Sequence, residues 1–136
     1  MKIKTYTHGE GDFWPLMGPF FASREVRKNL GIPMSSDEQH TWLVAVHQEA
    51  VVGFTAVEQQ KNGCMLRHVY VVPESRHKGL MTKLVQHSVK FVKTSGYGSI
   101  RVTVPGELLD FYANSGWEET STRGQYHNLR LDLEGT

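Results

Sequence analysis

Val69-Tyr70-Val71-Val72-Pro73-Glu74-Ser75-Arg76-His77-Lys78-Gly79-Leu80-Met81-Thr82 is the stretch whose reading decides the fold. Its first four residues are valine and tyrosine, the composition of a buried strand. Pro73 stops that strand, because proline has no N–H to donate to a ladder. A short basic turn follows, and after Gly79 a helical pattern begins. A strand, a basic turn and a helix N-terminus form a site for phosphate. The first N–H groups of the helix lack intrahelical acceptors, and the macrodipole adds partial positive charge there. An ordinary strand-to-helix connection with solvated basic residues has the same local signature. The stretch is not a nucleotide P-loop or a dinucleotide fingerprint, since neither G-x-x-x-x-G-K-[ST] nor G-x-G-x-x-G is present.

The neighbouring segments extend the pattern in both directions. Cys64 to Val72 reads as one strand, preceded by an Asn62-Gly63 hairpin signal and by a strand from Ala50 to Glu58. Gly53 inside that strand predicts a bulge or a close backbone approach. Thr41 to Val46 is the strand before it, joined by a tight connection at His47 to Glu49, and Lys2 to Thr7 is the first of the chain. Between them, Gly9 to Asp12 reads as a turn, and Asp12 is placed to cap a helix starting at Phe13. Gly18-Pro19 is expected to interrupt that helix, with a second one from Pro19 to Leu30 ended by Gly31-Ile32-Pro33. Met34 to His40 is a polar loop.

Downstream, Leu80, Met81, Leu84, Val85, Val89 and Val92 recur at helical spacing from Gly79 to Lys93. Ser99 to Val104 is a strand predicted to run parallel to Cys64–Val72, because a helix of crossover length joins them. Glu107 to Asn114 is a short helix. Trp117 to Thr120 opens a strand, Ser121 to Gly124 is a turn, and Gln125 to Leu133 closes the fold. The alternation of Leu129, Leu131 and Leu133 fits packing either within the chain or at a dimer edge, so monomer and homodimer both stay open. The order is β-α-α-β-β-β-α-β-α-β-β. This predicts one α/β (α+β) domain spanning 1–136, with a mixed, mostly antiparallel sheet of about 6–7 strands.

Composition narrows the functions. The chain has 136 residues, enough to bury a core without staples. Its formal net charge is +1 with no single-sign block, which argues against nucleic acid as a partner. One cysteine, Cys64, excludes an internal disulfide and fits a reducing compartment. No signal peptide or membrane-span pattern is present, so a soluble, cytoplasmic protein is expected. The seven histidines form neither H-x-H nor H-E-x-x-H, so no metal is expected.

Arg76-His77-Lys78-Gly79-Leu80-Met81 resembles the acetyl-coenzyme A loop of the GNAT (general-control-related) N-acetyltransferase superfamily, an apolar strand and proline followed by [QR]-x-x-G-x-[GA]. Met81 departs from the small residue usual at the last position. Phe111-Tyr112-Ala113-Asn114-Ser115-Gly116-Trp117 is similar to the family's aromatic-Tyr-x-x-x-Gly-aromatic ending. The element order is the family's as well.

The resemblance implies an acetyl-coenzyme A-dependent N-acetyltransferase acting on a primary amine by direct attack in a ternary complex. Acetyl-coenzyme A would be its cosubstrate and a small-molecule or protein amine its acceptor. Val69, Tyr70 and Val71 would pair with the pantetheine arm, which enters where this strand splays from Ser99–Val104. The N–H groups of Arg76, His77, Lys78, Gly79, Leu80, Met81 and Thr82 would hold the pyrophosphate. Arg76 or Lys78 would add charge, and Gly79 would allow close approach. The Val71 N–H would stabilise the oxyanion. Tyr112 would act as general acid toward the thiolate, or hold the sulfur by a hydrogen bond. Trp14, Phe20 and Phe21 would flank the acceptor.

No base is assigned. Met65 and Arg67 occupy the face where the family often carries an acid or histidine. His68 has the opposite parity unless a bulge intervenes, and Glu58, Glu74 or a water chain are the other options. Arg67 would either attract an acceptor carboxylate or sit in a salt bridge. A coenzyme A-binding regulatory or assembly module without turnover is the alternative function.

Overall fold

Hydrophobic alternation sorts the side chains of each strand onto two faces, and the helices settle on those faces. A computed structural model describes residues 1–7, 11–31, 34–61 and 63–133. In chain order the elements are β1 (Lys2–Thr7), α1 (Phe13–Phe21), α2 (Arg24–Leu30), β2 (His40–His47), β3 (Ala50–Gln60), β4 (Gly63–Val71), α3 (Leu80–Thr94), β5 (Ser99–Pro105), α4 (Leu109–Ala113), β6 (Glu118–Arg123) and β7 (Tyr126–Asp132). All seven strands join one sheet in the order β1-β2-β3-β4-β5-β7-β6. Every pairing is antiparallel except β4 with β5, as the crossover helix α3 requires. The expected α+β class and element order are those observed. No helix among the described residues is long and apolar enough to cross a membrane.

One face of the sheet carries Trp42, Val44, Phe54, Ala56 and Tyr70 and is covered by Phe13, Met17 and Val26 of α1 and α2. The other carries Leu43, Val57, Leu66, Ile100, Val102 and Leu129 and is covered by Val85 and Val92 of α3 with Tyr112 and Trp117. Leu129 and Leu133 are buried in this second cluster and Leu131 packs against it, so the C-terminal alternation serves the chain's own core.

Four local expectations are corrected. Helix α1 runs through Gly18-Pro19 to Phe21, and α2 starts at Arg24. Pro19 lacks the N–H that would meet the Pro15 carbonyl, but both prolines are exposed, where solvent can take that carbonyl. Phe20 and Phe21 hold the last turn in place through ring contacts with Phe54 and Trp42, both at 5.4 Å. The break falls instead at Ser23, whose hydroxyl accepts the Val26 N–H at 3.2 Å and caps α2. Asp12 precedes α1 without capping it, because Tyr6 Oη donates to its carboxylate at 2.7 Å. Ser121 to Gly124 is not a turn. β6 continues to Arg123, and the reversal is at Gly124-Gln125 with Gly124 at φ +62°. Its polar, fully exposed sequence hid a strand that only its pairing with β7 stabilises. Gly9 and Glu10 of the first expected turn, Ile32-Pro33 and Asn62 lie outside the described residues.

Gly53 fulfils both parts of its expectation. The β2–β3 register shifts at Ala45/Val46, opposite the segment that holds Gly53. A Cβ there would lie 2.9 Å from the Tyr70 carbonyl oxygen and 3.0 Å from Leu84 Cδ1. Gly53→Ala is therefore expected to destabilise the fold by about 1–3 kcal/mol through forced separation of β3 from β4 and α3. Urea unfolding measures it, and an unchanged midpoint would mean that β4 yields freely.

Candidate active site

The parallel pairing of β4 and β5 lasts only from Cys64↔Ile100 to Leu66↔Val102. Beyond it β4 continues to Val71 and β5 to Pro105 without pairing to one another. The two strands thus part in the middle of the sheet. The Val72 N–H donates to the Val52 carbonyl at 2.9 Å. Backbone groups alternate in direction along a strand, so the N–H and C=O of Val71 face the opening between β4 and β5. Val71 is 8% exposed.

At the end of β4, Pro73–Ser75 forms a 3-10 turn and the chain reaches α3 through His77 at φ +64° and Gly79 at φ +81°. The first N–H to bond back into this helix is that of Lys83, to the Gly79 carbonyl at 3.2 Å. The N–H groups of Leu80, Met81 and Thr82 precede it and are the helix's orphan donors. Gly79 is needed here for its left-handed φ: an added Cβ would meet nothing within 4 Å. Met81 turns inward and packs against the core beneath α3, so its bulk does not fill the loop.

Arg76 does not project freely from the loop. Its Nε donates to the Val71 carbonyl at 2.8 Å, and its guanidinium stands 5.5 Å from the centre of the Tyr70 ring. The Arg76 N–H is spent on the Pro73 carbonyl at 3.3 Å. Arg76 therefore ties the loop to the strand end, while Lys78 is exposed. Tyr70 faces the side of α1, with Phe20 at 6.3 Å and Phe54 at 5.4 Å. Phe21 contacts Trp42, and Trp14 leans on Phe21 at 5.1 Å while remaining 41% exposed. Phe20 thus borders β4, whereas Trp14 sits further out.

A bulge in β4 changes the face assignments. Phe54 pairs with Tyr70 but Ala56 pairs with Arg67, so His68 and Val69 oppose the single residue Thr55. His68 takes φ +54°. It therefore lies on the same face as Arg67, stacked 5.7 Å from Trp42 and 6.3 Å from His40. Both of its ring nitrogens are buried, with no hydrogen-bond partner among the described residues. Burial, helped by the charge of Arg67, pushes its pKa down to about 4. The unfolded ring protonates at about 6.5, so between that pH and about 4 the unfolded state binds more protons. Stability is fully present above that range and falls as pH drops through it, by about 2 kcal/mol at pH 5. Urea unfolding at pH 7 and pH 5 should show this fall in the native chain and its loss in His68→Phe.

Glu58 closes the acid side of this face. Gln60 Nε2 donates to it at 2.7 Å and Arg67 at 3.1 Å. His40 Nε2 is 3.2 Å away without hydrogen-bond alignment, and Asp37 holds the other ring nitrogen at 2.7 Å. The Gln60 hydrogen bond, with the charges of Arg67 and His40, holds the Glu58 carboxyl below the usual range. That makes it a weak base. Arg67 is engaged in this pair, the salt bridge that the sequence left open beside attraction of an acceptor carboxylate.

Tyr112 lies across the sheet, 1% exposed, in the cluster that contains Leu66 and Val102, the last paired residues of β4 and β5. Trp117 and Phe111 contact its ring edge-on at 5.3 and 5.1 Å. Burial raises its phenol above the ordinary value, so it is protonated at neutral pH. Cys64 is buried, and burial pushes its thiol up to about 11, which suits a structural thiol rather than a nucleophile. Among the described residues no group of three or more potential metal ligands is assembled.

A sheet whose parallel pair parts midway, with a loop and helix N-terminus at the end of the freed strand, is the architecture of acyl-coenzyme A N-acyltransferases. The acetyltransferase (GNAT) domain description matches residues 20–131, and the chain belongs to this family. None of the curated proteins matches it in sequence. Solved structures match the fold. An acyl-CoA N-acyltransferase from Pseudomonas aeruginosa superposes with a TM-score of 0.75 at 11% identity, covering 95% of this chain and 97% of the other. The PaiA N-acetyltransferase of Thermoplasma acidophilum, solved with coenzyme A, has a TM-score of 0.68 at 18% identity, covering 97% and 99%. A GNAT acetyltransferase from Elizabethkingia anophelis, with acetyl-CoA bound, has a TM-score of 0.70 at 12% identity, covering 97% of each chain.

Proposed function

We propose that this chain, as one domain over 1–136, transfers an acetyl group from acetyl-coenzyme A to a primary amine in a ternary complex. The observation that carries the reading is the opening between β4 and β5, into which Val71 turns its N–H and C=O. A pantetheine arm adding to β4 would meet these groups at Val69 and Val71, and Arg76 would give up the Val71 carbonyl as it enters. The free N–H groups at the start of α3 would take the pyrophosphate, with Lys78 supplying charge.

In this reading the amine lone pair attacks the thioester carbon from the face of Phe20, Tyr70 and Arg67. The Val71 N–H stabilises the developing oxyanion, the carbon–sulfur bond then breaks with its electron pair leaving on the thiolate, and the proton shed by the amine nitrogen goes to solvent. Tyr112 donates a hydrogen bond to the departing sulfur. Its raised pKa favours holding a thiolate over handing it a proton outright, since a thiol ordinarily ionises near 8.5. The amine must arrive neutral, because neither Glu58 nor His68 is placed to take its proton with a matched pKa. That same observation favours a second reading, a module that binds coenzyme A without turnover. A cytoplasmic location, suggested by the lone buried thiol, belongs to the proposal.

Coenzyme A at about 100 times its Kd is expected to stabilise the chain by about 2.7 kcal/mol, seen as a rise in Tm. No shift at millimolar coenzyme A would overturn both readings. Thiol release from acetyl-coenzyme A over a panel of amines separates them, since only a transferase shows amine-dependent release.

A further inference from the structure

Among the described residues, no helix lies over half of one sheet face. α1 and α2 cover β2, β3 and β4, while the same face of β5, β7 and β6 is open. Strand pairing aligns its side chains in rows. His40, Glu58, Met65, Arg101, Arg130 and Glu118 sit opposite one another across six strands. The next row toward the parted ends is Thr103, Asn128 and Ser121, and beyond it come Tyr126 and Arg123. These rows border a cleft of about 560 Å³ lined by Thr103, Arg123, Gly124, Gln125, Tyr126 and Asn128. It adjoins a second of about 280 Å³ that shares Thr103 and Asn128 and reaches Met65 and Arg101. Tyr126 bounds the cleft toward α2, since a Cβ on Gly31 would lie 3.8 Å from its hydroxyl.

The charges lining the two clefts are one-sided. Neither cleft has an acidic side chain in its lining, and both include an arginine. Arg67 and Arg130 have carboxylate partners in Glu58 and Asp132. Among the described residues Arg101 and Arg123 have none. Arg101 donates to the neutral amide of Gln60. Arg101 also stands directly opposite Arg130 on the same face, and Arg130 has its charge met by Asp132 while Arg101 does not. Between the two arginines, Thr103 Oγ1 donates to Asn128 at 2.7 Å and Asn128 donates to Ser121 at 2.9 Å, a polar floor with no carboxylate.

We propose that these two adjoining clefts form the acceptor site and that they select a small amine carrying an anionic group, carboxylate or phosphate, drawn by Arg101, which lines one, and by Arg123, which lines the other. The proposal rests on the acetyltransferase reading and names its substrate class. The clefts' size suits a small ligand. The smaller cleft reaches Met65, Arg101 and Val102, the last paired stretch of β4 and β5, and so borders the point where the strands part and the thioester would enter. A polyamine would bring positive charge to unpaired arginines.

The test uses the full chain with acetyl-coenzyme A and matched amines: 5-aminovalerate, 2-aminoethyl phosphate, pentylamine and 1,5-diaminopentane. The two anionic acceptors distinguish carboxylate from phosphate. At least one of them is expected to exceed pentylamine in kcat/KM by about tenfold or more, chiefly through KM, with an advantage that shrinks as salt rises. In Arg101→Gln and Arg123→Gln that ratio should fall toward one. Preference for pentylamine or the diamine, or a ratio unchanged in both variants, would overturn the proposal. Titration calorimetry of the same amines onto the chain saturated with coenzyme A reads the preference without turnover. Anion-selective binding there without thiol release would overturn the acetyltransferase reading while leaving the anion site standing. Thiol release with no anion preference would do the reverse.

Discussion

Replacing Tyr112 by phenylalanine is expected to lower thiol release from acetyl-coenzyme A by about a hundredfold, the lower end of what a positioned proton or hydrogen-bond donor contributes. The ring would stay where it is. Tyr112 is held edge-on by Trp117 and Phe111 inside the cluster beneath α3, and phenylalanine keeps those contacts. Among the described residues no group hydrogen-bonds its hydroxyl, so removing it breaks nothing in the fold. The loss should therefore appear in kcat, with the coenzyme A-induced rise in Tm unchanged. Because burial raises the phenol's pKa, the wild-type rate should show no alkaline fall from Tyr112 ionisation in the ordinary tyrosine range. Equal thiol release by the two proteins would show that the hydroxyl does not serve the leaving sulfur.

Trp42→Ala is expected to cost about 3–5 kcal/mol, the range for a large buried aromatic reduced to a methyl. Trp42 is fully buried at the centre of the aromatic cluster under α1 and α2. Its neighbours are Phe13 at 5.7 Å, Phe21 at 5.4 Å, Phe54 at 5.9 Å and the stacked ring of His68. Its Nε1 donates to Ser36 at 2.9 Å, which anchors the loop before β2. Domains of this kind are stable by only about 5–15 kcal/mol, so this single change removes a large share. Urea unfolding should show it, and Trp42→Phe should cost clearly less. The effect should reach the site too, because His68 loses the surface on which its bulge rests. An Ala variant as stable as the wild type would mean that the cluster collapses onto the cavity without loss.

Much of the fold was legible before the structure. Apolar alternation located six of the seven strands, and the 3.6-residue period located α3, because these patterns are local consequences of burying one face. The seventh, β6, was read short, since its polar, exposed residues gain their order only from β7. The α1 break was misplaced because Gly18-Pro19 is a strong local signal that ring packing of Phe20 and Phe21 overrides. The acidic and aromatic candidates were visible as residues, but their states were not. Glu58 and Arg67 are nine positions apart and pair only because β3 folds back on β4. Arg101 and Arg123 were passed over because isolated arginines on strands carry no motif, and only the register of β5, β7 and β6 places them on adjoining clefts of one face.

By itself, then, the sequence determined the strand, turn and helix from Val69 to Thr82 and the order of elements that makes the family. Each depends on neighbours within a few residues along the chain. Tertiary structure decided where β4 and β5 part, that the bulge turns His68 toward the face of Arg67, that Arg76 binds the Val71 carbonyl and that half a sheet face stays uncovered by the described helices. Each of these is a matter of which distant backbone is near enough to hydrogen-bond or exclude water, and no local pattern encodes that.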